Sequence, residues 1–206
     1  GAEVIALGCK PNGVNINRNC GAMHPEHVAA EVKKKKAHLG VALDGDADRV
    51  IFVDEHGKIV DGDAIMALCG TRMHKAGKLN KGKLVKTVMS NMGLERALDA
   101  AGGTVIRTNV GDRYVVEALR AESLSFGGEQ SGHLIFMEHA TTGDGLVAAL
   151  QVIGIMVAEQ KSLGELAHVM ERVPQVLESI KLPARRPLEQ MVELSSRIGA
   201  SEKKLG

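Results

Sequence analysis

Aromatic side chains are scarce in this chain of 206 residues. They make up 2% of the sequence, as three phenylalanines and one tyrosine, and tryptophan is absent. Proteins that bind single-stranded nucleic acids depend on aromatic rings that stack on the bases. The formal net charge is +1 at pH 7, so no strong electrostatic field draws the chain to nucleic acid or to an anionic membrane. We therefore expect no nucleic-acid partner and no membrane partner.

Cysteines and long apolar runs are also sparse. Cys9, Cys20 and Cys69 are odd in number and widely spaced, which favours reduced thiols in a cytoplasmic protein over a disulfide framework or a zinc site. The longest apolar helical stretch, residues 146–158, contains Gln151 and is too short to span a bilayer. The chain opens on GAE and moves directly into an apolar run, without a signal peptide or an initiator methionine. This opening indicates a fragment, although a processed or tagged terminus would look the same.

Short apolar runs and longer amphipathic stretches alternate along most of the chain. Runs rich in β-branched residues predict strands, and apolar residues at every third or fourth position predict helices. This alternation is typical of an α/β architecture, and the length allows one large or two modest domains. Residues 173–180 are predicted as a strand or an extended linker. The other predicted strands lie at residues 4–8, 39–43, 50–53, 58–60, 84–89, 104–110, 124–126 and 134–137, and the predicted helices at residues 24–36, 61–75, 94–101, 114–121, 146–158, 162–170 and 188–198.

The most informative stretch is residues 44–49, with the sequence DGDADR, between two predicted strands. Asp44, Asp46 and Asp48 occupy alternate positions, so an extended loop would point all three carboxylates to one side. Without a counter-ion they would repel one another and raise their own pKa values. Ligation by oxygen alone favours Mg²⁺, Mn²⁺ or Ca²⁺ over zinc. Arg49 adds a guanidinium suited to phosphate, so the stretch is typical of a phosphoryl-transfer site.

Two other interpretations of this acidic stretch compete. An EF-hand loop also begins D-x-D-x-D, and Glu55 falls at its twelfth position. That loop needs glycine at its sixth position, where this chain has Arg49, and helices on both sides, where we predict strands. The second alternative is a solvated acidic turn without a metal ion.

A second polar stretch, residues 127–133 with the sequence GGEQSGH, lies between two further predicted strands. Glu129, Ser131 and His133 alternate, so a carboxylate, a hydroxyl and an imidazole would share one face and could grip adjacent hydroxyls of a sugar. A polar β-turn is the alternative. The absence of a G-x-S-x-G elbow, and the closeness of Ser131 and His133 in one turn, argue against a serine hydrolase.

Three predicted helices begin with glycine and aspartate, at residues 61–63, 111–113 and 142–145. Asp or Thr as an N-cap explains all three in purely structural terms. Alternatively, these loop-to-helix junctions present free N–H groups to a phosphate or sugar oxygen. Residues 141–145 are then the best candidate, because they open the most apolar helix.

Three separated stretches together resemble the α-D-phosphohexomutase family. Residues 44–49 resemble its metal loop, residues 128–133 (GEQSGH) its sugar-binding loop, and residues 141–145 (TTGDG) the segment that follows. Residues 90–95 (SNMGLE) and 110–115 (VGDRYV) resemble the bacterial phosphoglucosamine mutase branch in particular. The resemblance implies two layered α/β domains with mixed sheets, the first incomplete. Residues 1–58 would be the end of domain 2, residues 59–172 domain 3, and residues 173–206 a linker and the start of a truncated domain 4.

The resemblance also implies an activity and roles for residues. The activity is reversible conversion of glucosamine 6-phosphate to glucosamine 1-phosphate, through a phosphoserine and a bisphosphorylated sugar, which feeds peptidoglycan precursor synthesis. Asp44, Asp46 and Asp48 would hold Mg²⁺, and Arg49 and His133 would assist catalysis. Which group transfers the proton is not assigned by the sequence, and Asp112, Arg113 and His133 stay open for that role. Five residues would bind the phosphorylated sugar: Glu129, Ser131, Gly132, Asp112 and Arg113.

Two loops of the family have no counterpart in these 206 residues. They are the phosphoserine loop of the N-terminal domain and a C-terminal phosphate-binding loop of the form R-x-S-G-T-E-P. We therefore expect a central fragment that is inactive alone. Its partners would be a phosphorylated hexosamine and the missing N- and C-terminal domains of the same protein, and a homodimer stays open. The alternatives are a phosphoglucomutase or phosphomannomutase, and a non-catalytic module that binds a sugar phosphate or a metal.

Overall fold

The computed structural model describes residues 1–178, 181 and 187–205. Residues Gly1–Val173 form one compact unit, and Pro174–Gly206 form a second. In the first unit, helices pack on two β-sheets, as the predicted α/β class requires. Its elements are α1 (Glu26–Lys35), β1 (Gly40–Leu43), β2 (Val50–Val53), β3 (Ile59–Val60), α2 (Gly62–Lys75), β4 (Lys83–Thr87), α3 (Met92–Ala100), β5 (Thr104–Thr108), α4 (Asp112–Ala121), β6 (Phe126–Gly128), β7 (Leu134–Phe136), α5 (Gly145–Glu159) and α6 (Leu163–Ala167).

The first sheet is an antiparallel arrangement in the order β1-β2-β3. Leu43 pairs with Val50 at the end of the β1–β2 hairpin, so residues 44–49 form the connection between the two strands. Val50 and Phe52 are fully buried in the main hydrophobic core. Val53 packs into a separate cluster under α1. Burial on both faces fixes the hairpin firmly, and with it the position of the acidic connection.

The second sheet is mixed, with the order β5-β4-β6-β7. β5, β4 and β6 are parallel, and β7 is antiparallel to β6. The carboxyl ends of the three parallel strands therefore lie along one edge, and the loops after them emerge together. In open α/β sheets, ligands bind at this edge. The residues that follow β6 at this edge include the predicted sugar-binding loop.

Alternation along β4 divides the apolar side chains between two cores. Leu84 packs with residues of α2, α3 and α5 on one face of the sheet. Val85 packs with Val115 and Leu119 of α4 on the other face. Successive side chains of a strand point to opposite faces, so this period-two pattern produces the three-layer arrangement of helix, sheet and helix.

The predicted strand at residues 4–8 is wrong. These described residues form no strand, and Val4, Ile5 and Leu7 are all exposed, Val4 by 80%. A strand needs a neighbour that accepts and donates its backbone hydrogen bonds. In the described part of the chain, β1 pairs with β2 alone and offers no partner to this run. An apolar composition alone therefore does not predict a strand, because the run also needs a neighbouring strand with which to pair.

The second unit contains a short 3₁₀ turn at Leu188–Gln190 and then α7 (Val192–Leu205). The predicted helix at residues 188–198 is thus present, but it begins later and continues further. Residues 173–178 form no strand, so the strand alternative is wrong there, while residues 179–180 of the same prediction lie outside the described residues. Across the described ranges, no helix is long and apolar enough to cross a membrane.

Candidate active site

The acidic stretch between β1 and β2 is a tight turn rather than the extended loop that the sequence suggested. Ala47 has a positive φ of 61°. Its N–H donates to the carbonyl of Asp44 at 3.3 Å. The N–H of Arg49 donates to Oδ1 of Asp44 at 3.1 Å. Asp44 therefore shapes the turn with its own side chain, as aspartate commonly does, and the strict alternation of an extended strand does not apply.

The turn nevertheless brings the three carboxylates together. Asp44, Asp46 and Asp48 each offer one oxygen, and these oxygens all lie within 4.8 Å of one another. Ligand oxygens around Mg²⁺ lie roughly 3 to 4 Å apart, so small rotations of the side chains would bring them onto one ion. The donor set is entirely carboxylate, which suits a hard divalent cation such as Mg²⁺. The residues present therefore fit the metal that the family resemblance implies.

The electrostatics of the turn also favour a cation. Burial, and next the neighbouring Asp44 carboxylate, raise the pKa of Asp48, while His133 lowers it. Like charges at this separation disfavour full ionisation of the group. A bound divalent cation would remove that penalty, because it neutralises the charge that the carboxylates share.

Arg49 lies against the same carboxylates. Its Nε is 3.1 Å from Oδ2 of Asp44 and 3.4 Å from Oδ1 of Asp48. The side chain is 42% exposed, so the guanidinium also meets solvent beside the acidic turn. A guanidinium in this position can bind an anionic group that approaches the acidic turn, because its planar set of N–H donors matches phosphate geometry.

The second predicted loop, residues 129–133, is also a closed turn. The N–H of Glu129 donates to the carbonyl of His133 at 2.9 Å, and the N–H of Gly132 donates to the carbonyl of Glu129 at 3.0 Å. Gly132 has a φ of 92°. Ser131 is exposed, Glu129 is half-buried and His133 is buried. The three side chains therefore do not share one exposed face, as they would on an ideal strand.

His133 joins this second loop to the acidic turn. It is 2% exposed, and its Nε2 lies 3.4 Å from Oδ2 of Asp48. The contact lacks hydrogen-bond geometry, and both ring nitrogens of this buried histidine are without a hydrogen-bond partner in the described structure. Buried polar atoms without partners are uncommon in native proteins and need an explanation. Here they lie at the boundary between the two candidate loops.

Backbone contacts hold three loops around this point. The N–H of Val50 donates to the carbonyl of Gly132 at 3.1 Å, and Arg49 forms an isolated antiparallel bridge with His133. A side chain at Gly143 would come within 2.4 Å of the His133 ring. The structure thus brings together the acidic turn, the second loop and residues 141–145.

The start of α5 does not present free N–H groups to a ligand. Oδ1 of Asp144 accepts hydrogen bonds from Leu146 and Val147, both at 2.9 Å. The N–H of Gly145 donates to the carbonyl of Ala47, and that of Ala148 donates to the carbonyl of Asp144. The N-cap interpretation is therefore correct for this helix, because the N–H groups of its first turn are already paired.

Asp112 and Arg113 lie at the start of α4. Oδ1 of Asp112 accepts from the N–H of Arg113 at 2.7 Å. The guanidinium of Arg113 pairs with Glu117, one turn along the helix, with its side chain 78% exposed. The structure therefore directs Arg113 along the surface of its own helix. A residue that the sequence reasoning did not select as part of the site, Gly111, instead contacts the second loop, because its N–H donates to Oε1 of Glu129 at 3.0 Å.

Comparison with known proteins identifies the family that this chain resembles. The model of phosphoglucomutase/phosphomannomutase α/β/α domain III matches residues 61–173, and the model of domain II of the same family matches residues 1–57. A protein of *Sorangium cellulosum* named phosphoglucosamine mutase is 64% identical over 207 residues, which cover 100% of this chain and 43% of that protein. The chain spans less than half the length of the curated relatives it matches.

Solved structures share the same fold. A phosphoglucomutase/phosphomannomutase family protein from *Burkholderia thailandensis* superposes with a TM-score of 0.67 at 25% identity, covering 74% of this chain and 34% of that one. N-acetylphosphoglucosamine mutase from *Aspergillus fumigatus*, solved with GlcNAc-6P and magnesium, gives a TM-score of 0.61 at 22% identity, covering 79% of this chain and 39% of that one. Because the domain III model alone matches more than half of its residues, the chain belongs to the phosphoglucomutase/phosphomannomutase family.

Proposed function

We propose that this chain forms the metal-binding and sugar-binding part of a phosphoglucosamine mutase, which interconverts glucosamine 6-phosphate and glucosamine 1-phosphate. The observation that carries the proposal is the meeting of the two loops. Three carboxylate oxygens gather in the acidic turn, and His133 of the second loop lies 3.4 Å from one of those carboxylates. A sugar held at the second loop would then have its phosphate at the acidic turn. The 64% identity to the *Sorangium cellulosum* mutase supports glucosamine phosphate as the substrate.

In this proposal Asp44, Asp46 and Asp48 hold Mg²⁺, and Arg49 contacts the phosphate beside it. Bound Mg²⁺ would neutralise negative charge on the phosphoryl group as it moves between the sugar and the protein. Magnesium and GlcNAc-6P accompany the *Aspergillus fumigatus* enzyme of the same fold, and the all-carboxylate donor set here suits the same ion. Positioning and electrostatics dominate the catalysis of phosphoryl transfer, which is the chemistry that this set of charges supplies.

The sugar is assigned to the second loop and to the start of α4. Glu129 and Ser131 would exchange hydrogen bonds with hydroxyls of the hexose, and Gly132 keeps the loop closed through its N–H bond to the carbonyl of Glu129. Arg113 would have to leave Glu117 to reach a phosphate, so we propose that it and Asp112 bind substrate only after such a rearrangement. His133, whose Nε2 lies 3.4 Å from Oδ2 of Asp48, would assist catalysis beside the acidic turn.

We also propose a domain assignment and a cellular location. Residues 1–58 would be the C-terminal part of domain 2, residues 59–172 domain 3, and residues 173–206 a linker and the start of domain 4. The family matches over 1–57 and 61–173 support this division. Cys9, Cys20 and Cys69 are all free thiols, which is in keeping with a cytoplasmic protein. The chain by itself would not turn over substrate, because the phosphoserine that the family resemblance implies has no counterpart in its motifs.

A chimera tests the proposed function. The matching segment of the *Sorangium cellulosum* mutase is replaced by these 206 residues, so that the relative supplies the remaining domains. ³¹P NMR then follows the conversion of glucosamine 6-phosphate to glucosamine 1-phosphate, with Mg²⁺ and a catalytic amount of hexose 1,6-bisphosphate. Glucose 1-phosphate and mannose 1-phosphate are compared under the same conditions.

We expect the chimera to convert the glucosamine phosphate with a higher kcat/KM than either other sugar phosphate. A preference for glucose or mannose 1-phosphate would instead assign the chain to a phosphoglucomutase or phosphomannomutase. A folded chimera with no activity on any of the three would contradict the proposal and favour a non-catalytic binding module.

A further inference from the structure

The carboxylate of Glu129 is held by a single backbone group from another loop. The N–H of Gly111, which follows β5 and precedes α4, donates to Oε1 of Glu129 at 3.0 Å. We propose that Gly111 is a positioning residue: it fixes one oxygen of Glu129 so that the other, Oε2, is aimed at a hydroxyl of the phosphorylated hexose. This inference rests on the proposed function, because it assumes that Glu129 binds the sugar.

The rest of Glu129 is already fixed, which gives this one contact its importance. Its N–H donates to the carbonyl of His133 and its own carbonyl accepts from the N–H of Gly132, so both backbone groups of Glu129 are held in the turn. The remaining freedom lies in the side-chain torsions, and holding Oε1 removes most of it. In the described part of the chain, the bond from Gly111 is the only hydrogen bond to this carboxylate. Hydrogen bonds to ionised groups are about twice as strong as those between neutral groups.

The backbone conformation that directs this N–H toward Glu129 favours glycine. Gly111 has φ 128° and ψ 133°, a conformation that side-chain-bearing residues rarely adopt. A Cβ there would make an ordinary contact with Cδ2 of Tyr114, at 3.4 Å, so the strain lies in the backbone. Gly111 occupies the N-cap position of α4, so the dipole of the helix adds to the attraction between its N–H and the carboxylate. Alanine at this position would therefore turn the N–H away from Oε1.

The two carboxylate oxygens of Glu129 then have different roles: Oε1 is held by Gly111 and Oε2 binds the substrate. A carboxylate with both oxygens free rotates, and a sugar must then stop that rotation when it binds. With Oε1 held, Oε2 faces the substrate in advance, and the entropy cost of binding falls. The acidic turn does not take part in this contact. Loss of the Gly111 bond should therefore weaken sugar binding without changing the binding of Mg²⁺.

The chimera allows a kinetic test with a matched control. Gly111→Ala is compared with Gly102→Ala, which replaces another positive-φ glycine (φ 87°) whose nearest contact is also a side chain at 3.4 Å, that of His74. We expect Gly111→Ala to raise KM for glucosamine 6-phosphate by roughly ten- to a hundredfold, the effect of losing a hydrogen bond to a charged group. The Mg²⁺ concentration for half-maximal activity should stay within about twofold of the parent value. Gly102→Ala should change neither constant.

Equal changes in KM for the two variants, or a shift in the Mg²⁺ requirement as large as the shift in KM, would overturn the inference while the parent chimera remained active. Inactivity of the parent chimera would instead contradict the proposed function.

A second measurement examines the contact itself and does not depend on activity or on how well Gly111→Ala folds. In the 206-residue chain, the Gly111 amide is observed by ¹H–¹⁵N NMR before and after Glu129→Gln. The neutral amide is a weaker acceptor, so the Gly111 proton should move upfield and exchange with solvent roughly tenfold faster. Ser131→Ala, in the same loop, should leave it unchanged. An unaltered Gly111 signal in Glu129→Gln would contradict the positioning role.

Discussion

A substitution at Asp46 tests the charge of the acidic turn without disturbing its structure. Asp46 is exposed, whereas Asp44 also shapes the turn by accepting a hydrogen bond from the N–H of Arg49. Asp46→Asn should therefore leave the fold intact and remove one ligand charge. We expect kcat of the chimera to fall on the order of a hundredfold, as happens when one electrostatic group at a reacting centre is lost. The measurement is initial rate against Mg²⁺ concentration.

Asp99→Asn is the control for this change, because Asp99 is an exposed aspartate on α3. It should retain the parent rate. Near-normal turnover of Asp46→Asn at saturating Mg²⁺ would count against the metal assignment. Circular dichroism spectra of both variants should superpose on that of the parent.

At the residue scale, the sequence predicted the three carboxylates and the adjacent Arg49 but not their contact with His133. DGDADR places three acidic groups within five positions, so some close approach was unavoidable in any turn. The contact between His133 and Asp48 joins residues 85 positions apart, and no local pattern specifies it. Gly111 belongs to the motif at residues 110–115. Its contact with Glu129 depends on where α4 begins and on the direction of one N–H, and only the folded backbone defines these.

Strand β4 is tied to its neighbours by a charged group of three residues. Lys86, on β4, is buried and its Nζ lies 3.2 Å from Oε2 of Glu95 on α3. Arg107, on β5, donates to the same carboxylate. Glu95→Gln leaves the buried ammonium of Lys86 without a counter-charge, so we expect the free energy of unfolding to fall by about 2 kcal/mol. Urea denaturation measures it. Glu117→Gln, at an exposed pair, should cost less than about 0.5 kcal/mol.

The same group predicts a pH dependence. Burial alone would raise the pKa of Glu95, but hydrogen bonds from Arg107 and Lys86 outweigh it and lower the pKa below the ordinary value of 4.5. The unfolded chain therefore takes up this proton at a higher pH than the folded chain does. The stabilisation is complete above pH 4.5 and is lost as the pH falls through the folded value. Unfolding curves between pH 6 and 3 should show a smaller acid-induced loss in Glu95→Gln, and equal losses would refute this.

Two glycines should respond in opposite ways to alanine. At Gly132, with φ 92°, a Cβ would come within 2.1 Å of the carbonyl oxygen of Val50, so Gly132→Ala should cost about 2 to 4 kcal/mol. At Gly154, inside α5, nothing lies within 4 Å, so Gly154→Ala should stabilise by about 0.5 to 1 kcal/mol. Thermal unfolding of the two variants gives the comparison. A neutral Gly132→Ala would show that the second loop is not held against β2 as described.

At the element scale, the α/β alternation could be predicted because each element carries its own signal. The run at 84–89 became β4, and Asp61 caps α2 as its position indicated. The run at residues 4–8 has the same apolar composition, but strand formation depends on a partner edge that composition does not describe. The prediction for the second loop was wrong for a related reason. The hydrogen bond from the N–H of Glu129 to the carbonyl of His133 closes a turn, where alternation alone suggested an extended face.

At the scale of the whole molecule, the chain offers three carboxylate oxygens to a cation. These are too few to complete the coordination shell of Mg²⁺, and the phosphate of the substrate would supply further oxygens. Three carboxylate oxygens within 4.8 Å of one another would fill half of an octahedral Mg²⁺ shell, and Mg²⁺ usually completes its shell with water and phosphate oxygens. We therefore expect the isolated chain to bind Mg²⁺ with a Kd weaker than about 0.1 mM, and more tightly when glucosamine 6-phosphate is present. By reciprocity, Mg²⁺ should strengthen the binding of the sugar phosphate by the same factor.

Isothermal titration calorimetry of Mg²⁺ into the chain, with and without glucosamine 6-phosphate, measures both constants. Glucosamine without phosphate is the matched control, because under the proposed function it would bind at the second loop but offers no phosphate oxygen to the metal. It should leave the Mg²⁺ affinity unchanged, since the coupling arises from a shared phosphate and not from the sugar ring. Tight Mg²⁺ binding without any phosphate would show that the acidic turn completes its coordination by itself, and the link between metal and substrate that the proposed mutase needs would then be absent from this chain.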